Sequence, residues 1–291
     1  MKRTEIKTLL KDYQKFDGKN VVVCGFARTV RDSKNIGFIE LNDGSFKSIQ
    51  IVVEREKIKN YEEVVKQNVG ASFEIHGKLI VTPQAKQPFE INAEKVVVLG
   101  ICESDYPLQK KGHTVEFLRT IPTVRARGNL FNAVFRIRSM AAFAINKFFI
   151  ERNFVYVNTP ILTSSDCEGA GQMFDVTTFD LNKIAKEGKF DYSKDFFGKK
   201  ASLTVSGQLH EEPITFAFGK TYTFGPTFRA EKSNTTRHAA EFWMMEPEMC
   251  FCDLNELMDT EEEMVKYIIN YIFENCEDEL NFLNNMVDKN L

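Results

Sequence analysis

The stretch from Phe224 to Glu248, FGPTFRAEKSNTTRHAAEFWMMEPE, restricts the fold more than any other part of the chain. Thr221 to Phe228 alternates apolar and polar side chains like a strand, with Gly225-Pro226 interrupting it. Lys232 to Thr236 is polar and turn-forming, and Ala240 to Met249 is apolar again with glutamates at short intervals. This predicts two antiparallel strands joined by a charged loop. Arg229 ends the first strand, Arg237 and His238 sit in the loop, and Glu231, Glu241, Glu246 and Glu248 supply anions. A guanidinium is a planar fork that matches phosphate oxygens, and nearby carboxylates suit Mg2+ or a ribose hydroxyl. The pattern predicts a nucleoside triphosphate site built on sheet rather than on a glycine loop. A polar hairpin with a ladder of surface ion pairs is the plainer alternative.

Upstream, residues 17–102 read as a small five-stranded barrel. Strand patterns occur at Lys19–Ala27, Gly37–Asn42, Ser48–Glu54, Ala71–Val81 and Phe89–Leu99, with a short helix at Tyr61–Gln67 between the third and fourth. That order is the one an OB-fold requires, and such barrels bind single strands on the face of strands two and three. Phe38 offers a ring to stack on, Gln50 an amide for a base edge, and Arg28 a phosphate or base contact. Taken alone, Phe38 reads more readily as core.

From Leu130 the pattern changes. Asn132 to Glu151 places apolar residues on one broad helical face, and a strand at Phe154–Val157 leads to Thr159-Pro160. Thr163 to Gly171, TSSDCEGAG, is a glycine-bearing loop with Glu168 at its centre. Phe179 to Lys200 is polar and rich in Lys and Asp, which predicts a surface excursion. Ala201 to Glu212, ASLTVSGQLHEE, is a strand running into a helix start. His210 has neither HxxxH nor Cys spacing around it and is no metal ligand.

A chain of 291 residues holds two domains. The six cysteines show no CxxC spacing, which predicts reduced thiols in a cytoplasmic protein. The N-terminus reads as a short polar helix rather than a signal peptide, and no apolar run is long enough for a membrane. Net charge is −3, but residues 1–128 carry 22 Lys and Arg against 16 Asp and Glu. A basic front half on an acidic chain fits local contact with phosphates. Charge segregation between domains explains the number equally well.

The residues FRAE followed by TRHAAEFWMMEPEM resemble motif 2 of the class II aminoacyl-tRNA synthetases, above all the asparagine branch of their aspartate/asparagine/lysine subgroup. The resemblance implies an OB-fold anticodon-binding domain over residues 1–103, a hinge over 104–130 and an α+β catalytic domain over 131–291. The catalytic domain would be an antiparallel sheet flanked by helices. It implies ATP-dependent activation of L-asparagine and transfer to tRNA(Asn), with Mg2+ accompanying ATP. Arg229 would clamp the α-phosphate as the catalytic residue, Glu231 would contact adenine, and Arg237 and His238 would take the outer phosphates. Glu168, Ser206 and Gln208 would hold the amino acid. In aspartate-specific relatives the corresponding segment reads QSPQLYKQ, and Glu211 stands here at the Lys place. Aspartate and asparagine are near-isosteres, so charge and hydrogen-bond polarity must separate them. Phe38 and Gln50 match the family's anticodon-stacking and base-reading residues, while Arg28, Arg31 and Glu90 match more loosely. Tyr106 to Arg127 resembles the hinge. The long helix, short strand and Pro160 resemble motif 1, which implies a homodimer through residues 132–152.

The resemblance stops short of the family's third motif. No GxGxxR follows Glu248, and Asp253–Met258, Thr260–Asn275 and Glu277–Asn290 read as an acidic helical tail. The expectation is the front portion of a synthetase, inactive alone, with open sheet edges. Its rivals are a tRNA-binding module, half of a split enzyme, or an aspartate-specific or non-discriminating synthetase.

Overall fold

Val, Ile and Phe recur at alternate positions between residues 20 and 100, and strands patterned this way must bury one face. In the computed structural model they bury it inside a closed barrel. The structure describes every residue except Met1, Lys86, Glu168, Ala170, Asn234 and Leu291, and describes only the backbone of Glu187. Helix α1 (Ile6–Phe16) leads into β1 (Asn20–Ser33), β2 (Ile36–Asn42) and β3 (Ile49–Glu54). Helix α2 (Tyr61–Val65), β4 (Ser72–Val81) and β5 (Phe89–Gly100) follow. The strands close in the order β1-β2-β3-β5-β4, with β3 and β5 parallel and the other described pairs antiparallel. This is the five-stranded OB-fold barrel expected from the sequence. Val23, Ile39, Ile51, Phe73, Ile75 and Ile91 fill it, and Ile6 and Leu9 of α1 join the same core. Each such side chain contributes about 1.5–3 kcal/mol by leaving water. At Gly77 a Cβ would lie 2.4 Å from the Asn92 carbonyl oxygen, so the close approach of β4 to β5 requires glycine.

Strand β1 runs six residues further than its apolar pattern. Arg31 and Ser33 pair with Phe38 and Ile36, and the hairpin turns through Lys34, a non-glycine residue at φ 66°. The linker beyond the barrel folds as α3 (Val115–Thr120), N-capped by Thr114, then a 3-10 turn at Arg125–Arg127 and the long α4 (Asn129–Glu151).

The chain divides into two compact units, Met1–Ser139 with Asn275–Leu291, and Met140–Glu274. In the second, β6 (Val155–Tyr156), β7 (Leu162–Thr163), β8 (Asp175–Val176) and α5 (Leu181–Glu187) precede β9 (Ala201–Leu203) and α6 (Gln208–Phe218). Then come β10 (Lys220–Phe228), β11 (Glu241–Met249) and α7 (Leu254–Asn275). Helix α8 (Glu277–Met286) lies in the first unit. One sheet has the order β11-β10-β6 and a second, antiparallel one the order β7-β9-β8. Strand β10 pairs antiparallel with β11 from Lys220–Met249 to Phe228–Glu241, and β6 joins β10 in parallel. The hairpin expected at the opening stretch is therefore present, and β11 has a free edge among the described residues.

The segment expected as a surface excursion is mostly exposed, and one residue pins it. It contains α5 and a 3-10 turn at Tyr192–Lys194, and the buried Asp195 accepts from the Thr178 amide, the Thr178 hydroxyl and the Phe196 amide. Side-chain hydrogen bonds from Thr177 and Thr178, with backbone donors, hold its carboxyl far below the usual carboxylate range. No described helix is long and apolar enough to cross a membrane.

Candidate functional site

Residues directly opposite in an antiparallel pair share a face. One face of β10 and β11 carries Tyr222, Phe224, Met245 and Met249, which pack with Phe148, Phe149 and Phe154 and with Met264 and Tyr267 of α7. The other carries Thr221, Thr223, Gly225 and Thr227 opposite Glu248, Glu246, Met244 and Phe242. The period of two thus separates an apolar support from a polar floor. At Gly225 a Cβ would meet nothing within 4 Å, so open space lies above the middle of that floor.

Arg229 stands at the end of β10, with its guanidinium carbon 5.4 Å from the Phe242 ring centroid. Its Nη2 has long contacts to the Val205 carbonyl oxygen (3.5 Å) and the Met244 sulfur (3.9 Å), and its buried Nε has no partner. A buried donor left so costs about 1–3 kcal/mol, which an incoming anion would relieve. Glu231 accepts from the Gln172 amide at 2.9 Å, and its other oxygen is buried without a partner. Its own amide and that of Gln172, then the charges of Arg229 and His238, hold its carboxyl below the ordinary value. Gly171 permits this approach of loop to strand, because a Cβ there would lie 2.6 Å from Glu231 Oε1 and 3.1 Å from Arg229 Cδ. Arg237 and His238 lie exposed in the connecting loop. Glu168 lies outside the described residues.

At the other end of the floor, the Ser206 hydroxyl donates to Glu246 Oε1, and the Gly207 amide donates to Glu246 Oε2 at 3.2 Å. The Gln208 amide donates to Ser206 Oγ, and its side chain donates to Glu212 Oε1 at 2.9 Å. Gly207 presses against Thr159 and Thr223, where a Cβ would stand 2.6 Å from Thr159 Oγ1. Ser206 and Gln208 are thus brought together with Glu246 and Glu212, neither of which sequence reasoning had placed in the amino-acid site.

Glu211 requires a correction. It is 0% exposed and faces inward, accepting from the Thr221 hydroxyl at 2.8 Å while its Oε2 has no partner. Burial, followed by the charges of Glu248 and Glu246, pushes its carboxyl up to about 7. So enclosed, it offers no surface to an amino-acid side chain. The half-buried carboxylate beside Gln208 belongs to Glu212, one residue on, because consecutive helix positions point about 100° apart. Burial, then Glu212 and Glu246, also raises Glu248.

On the barrel, Phe38 and Gln50 lie partly exposed on the outer face of β2 and β3. The Arg31 guanidinium sits 5.9 Å from the Phe38 ring centroid, and the Gln50 side chain donates to Glu90 at 2.5 Å. Four of the residues singled out from sequence therefore share one surface. Arg28 instead donates to the Arg127 carbonyl, and burial lowers its pKa.

Comparison with known proteins bears on both regions. A family model described as tRNA synthetases class II (D, K and N) matches residues 115–289, and one for an OB-fold nucleic acid binding domain matches residues 21–99. The chain is 60% identical over its whole length to the asparagine–tRNA ligase of Clostridium tetani, and 57% identical to that of Clostridium kluyveri. It spans 63% of the length of each of these curated relatives. Among solved structures, asparaginyl-tRNA synthetase from Pyrococcus horikoshii, complexed with asparaginyl-adenylate, superposes with a TM-score of 0.83 at 25% identity. That match covers 97% of this chain and 61% of the other.

Proposed function

Because the chain belongs to the class II tRNA synthetases for aspartate, lysine and asparagine, we propose that it serves asparagine–tRNA ligation. ATP would activate L-asparagine to asparaginyl-adenylate, and the asparaginyl group would then pass to tRNA(Asn). The observation that carries this reading is the 60% identity to an asparagine–tRNA ligase running over the whole chain.

In the first step an oxygen of the asparagine α-carboxylate attacks the α-phosphorus of ATP. The bond to the bridging oxygen breaks, and pyrophosphate leaves. In the second, a hydroxyl of the terminal adenosine of tRNA attacks the mixed anhydride, and AMP leaves. Neither step needs a protein nucleophile, so catalysis rests on alignment and on stabilising charge at phosphorus. The unpartnered Nε of Arg229 and its weakly held Nη2 suit the α-phosphate, while Glu231 fits adenine recognition and the exposed Arg237 and His238 the outer phosphates. Glu246, held by Ser206 and the Gly207 amide, suits the substrate ammonium. The Glu212 carboxylate beside Gln208 accepts from an amide NH2 and repels the carboxylate of aspartate. Class II synthetases work with ATP and a divalent metal. No described group of three His, Cys, Asp or Glu residues makes a metal site by itself, and the chemistry assigned to this chain runs through Arg229 and its neighbours.

The barrel face with Phe38, Gln50 and Arg31 is proposed to hold the anticodon loop. A homodimer through α4 is supported by exposed Phe143 and Ile150 on that helix. The six free thiols fit a cytoplasmic setting. The test is asparagine-dependent pyrophosphate exchange by the full gene product. Arg229→Ala should abolish exchange, and retained exchange overturns the assignment.

A further inference from the structure

The polar floor of β10 and β11 is open above Gly225, and toward Thr221 it is covered by α6, which packs on both strands. Beneath that helix Glu211 has no exposed surface. Its Oε1 accepts from the Thr221 hydroxyl, which is also 2.6 Å from the Thr215 hydroxyl, and its Oε2 has no partner. Among the described residues of these elements no cation faces it. On α6, His210 and Glu212 point about 100° away to either side. On β10, Lys220 and Tyr222 flank Thr221 and so lie on the opposite face, with Lys220 Nζ 5.5 Å from the Phe154 ring centroid. On β11, Glu248 lies directly across from Thr221, Glu246 across from Thr223, and Glu241 at the far end opposite Phe228. Cys250, just past β11, brings its Sγ to 3.5 Å from the Thr215 carbonyl oxygen. Arg229 reaches along the floor to the Met244 sulfur, two residues short of Glu246.

Glu211 thus faces carboxylates and hydroxyls only. Carboxyls gathered in one enclosed place do not all ionise; a proton stays with the group, on the member with least water and fewest donors. Here that member is Glu211, and its burial, then Glu248 and Glu246, act in the same direction. Glu246 is also the residue assigned to the substrate ammonium. A cation arriving there supplies the counter-charge that the proton supplies in the empty site. We propose that Glu211 is a positioning residue that sets the charge of the ammonium subsite: it holds a proton while the site is empty and gives it up when the asparagine ammonium binds at Glu246. The O–H bond of the Glu211 carboxyl breaks, its electron pair stays on the carboxylate, and the proton leaves to water, so the charge of the site is the same before and after binding. The inference rests on the assignment of Glu246 to the ammonium.

The test uses the full gene product. Calorimetric titration with L-asparagine at about pH 7, in phosphate and in Tris, should show about half a proton released per site, read from the dependence of the heat on the buffer. This arm needs no variant. Because the ionised form is the one that binds tightly, KM for asparagine in pyrophosphate exchange should fall about eightfold between about pH 6 and about pH 7.5. Glu211→Gln cannot ionise, so its KM for asparagine should stay near the parent's acid value throughout, with KM for ATP the same in the two proteins. Glu246→Gln should raise KM for asparagine at every pH. If the heat does not depend on the buffer, or Glu211→Gln keeps the parent's pH profile, the proposal is overturned, and the Glu246 assignment stands as long as Glu246→Gln still raises KM. If Glu246→Gln leaves KM unchanged, the ammonium assignment falls and takes the proposal with it.

Discussion

Replacing Glu211 with Gln should make the protein more stable from mildly acidic pH upward, most of all above neutral pH, and leave it unchanged below about pH 4.5. The parent carboxyl is enclosed by Thr215, Thr221 and the charges of Glu246 and Glu248, and burial pushes it from 4.5 up to about 7. Folded-state affinity for the proton therefore exceeds that of the unfolded chain. The stabilisation is complete below about pH 4.5 and is lost as pH rises through about 7. A shift of this size corresponds to about 3 kcal/mol. Glutamine can still accept from Thr221 and cannot ionise, so Glu211→Gln removes the pH-dependent loss. Urea denaturation of parent and variant at pH 4, 5, 6, 7 and 8 should give nearly equal midpoints at pH 4 and a gap that opens from pH 5 and levels off above about pH 7. A constant difference across that range would refute the enclosed-carboxyl argument.

Three further outcomes follow from the same geometry. Gly207→Ala forces a methyl against Thr159 and Thr223 and should cost about 1–3 kcal/mol of stability, read from the urea midpoint; an unchanged midpoint contradicts the packing. Arg229→Leu removes a buried donor without a partner, so ATP binding should fall in calorimetry while the melting temperature holds or rises; parallel loss of both would mean that Arg229 is structural. Phe38→Ala should weaken tRNA binding by about 1–3 kcal/mol and leave pyrophosphate exchange intact; loss of exchange would place its effect elsewhere than the anticodon.

What the sequence made legible follows from the range of the interactions involved. The barrel strands and the β10–β11 hairpin show themselves by alternation, a local signal that survives without knowledge of partners. The apolar pattern of β1 ends at Ala27 because Arg28 to Ser33 carries no apolar alternation, and its turn uses Lys34 rather than Asn-Gly. Strand β6 is two residues long and exists through its pairing with Thr221 and Tyr222. The bond between Ser206 and Glu246 joins residues forty positions apart, so composition near either one is silent about it. Period-two spacing does put Glu246 and Glu248 on one face, which was the signal available. Glu211 and Glu212 differ by one residue of helix phase, and the match to QSPQLYKQ carries no information on which carboxylate turns inward. Asp195 stood in a stretch whose polarity suggested solvent, yet its hydrogen bonds make it the anchor of that segment.

The central claim is selection of asparagine by a site that offers a carboxylate to an amide. Its most direct test is pyrophosphate exchange by the full gene product with asparagine and with aspartate, each taken as kcat/KM. A buried polar site tuned to the amide should favour asparagine by about 10⁴-fold, and Glu212→Gln should erode that ratio more than Glu211→Gln does. Equal exchange with the two amino acids, or a preference for aspartate, would contradict the account.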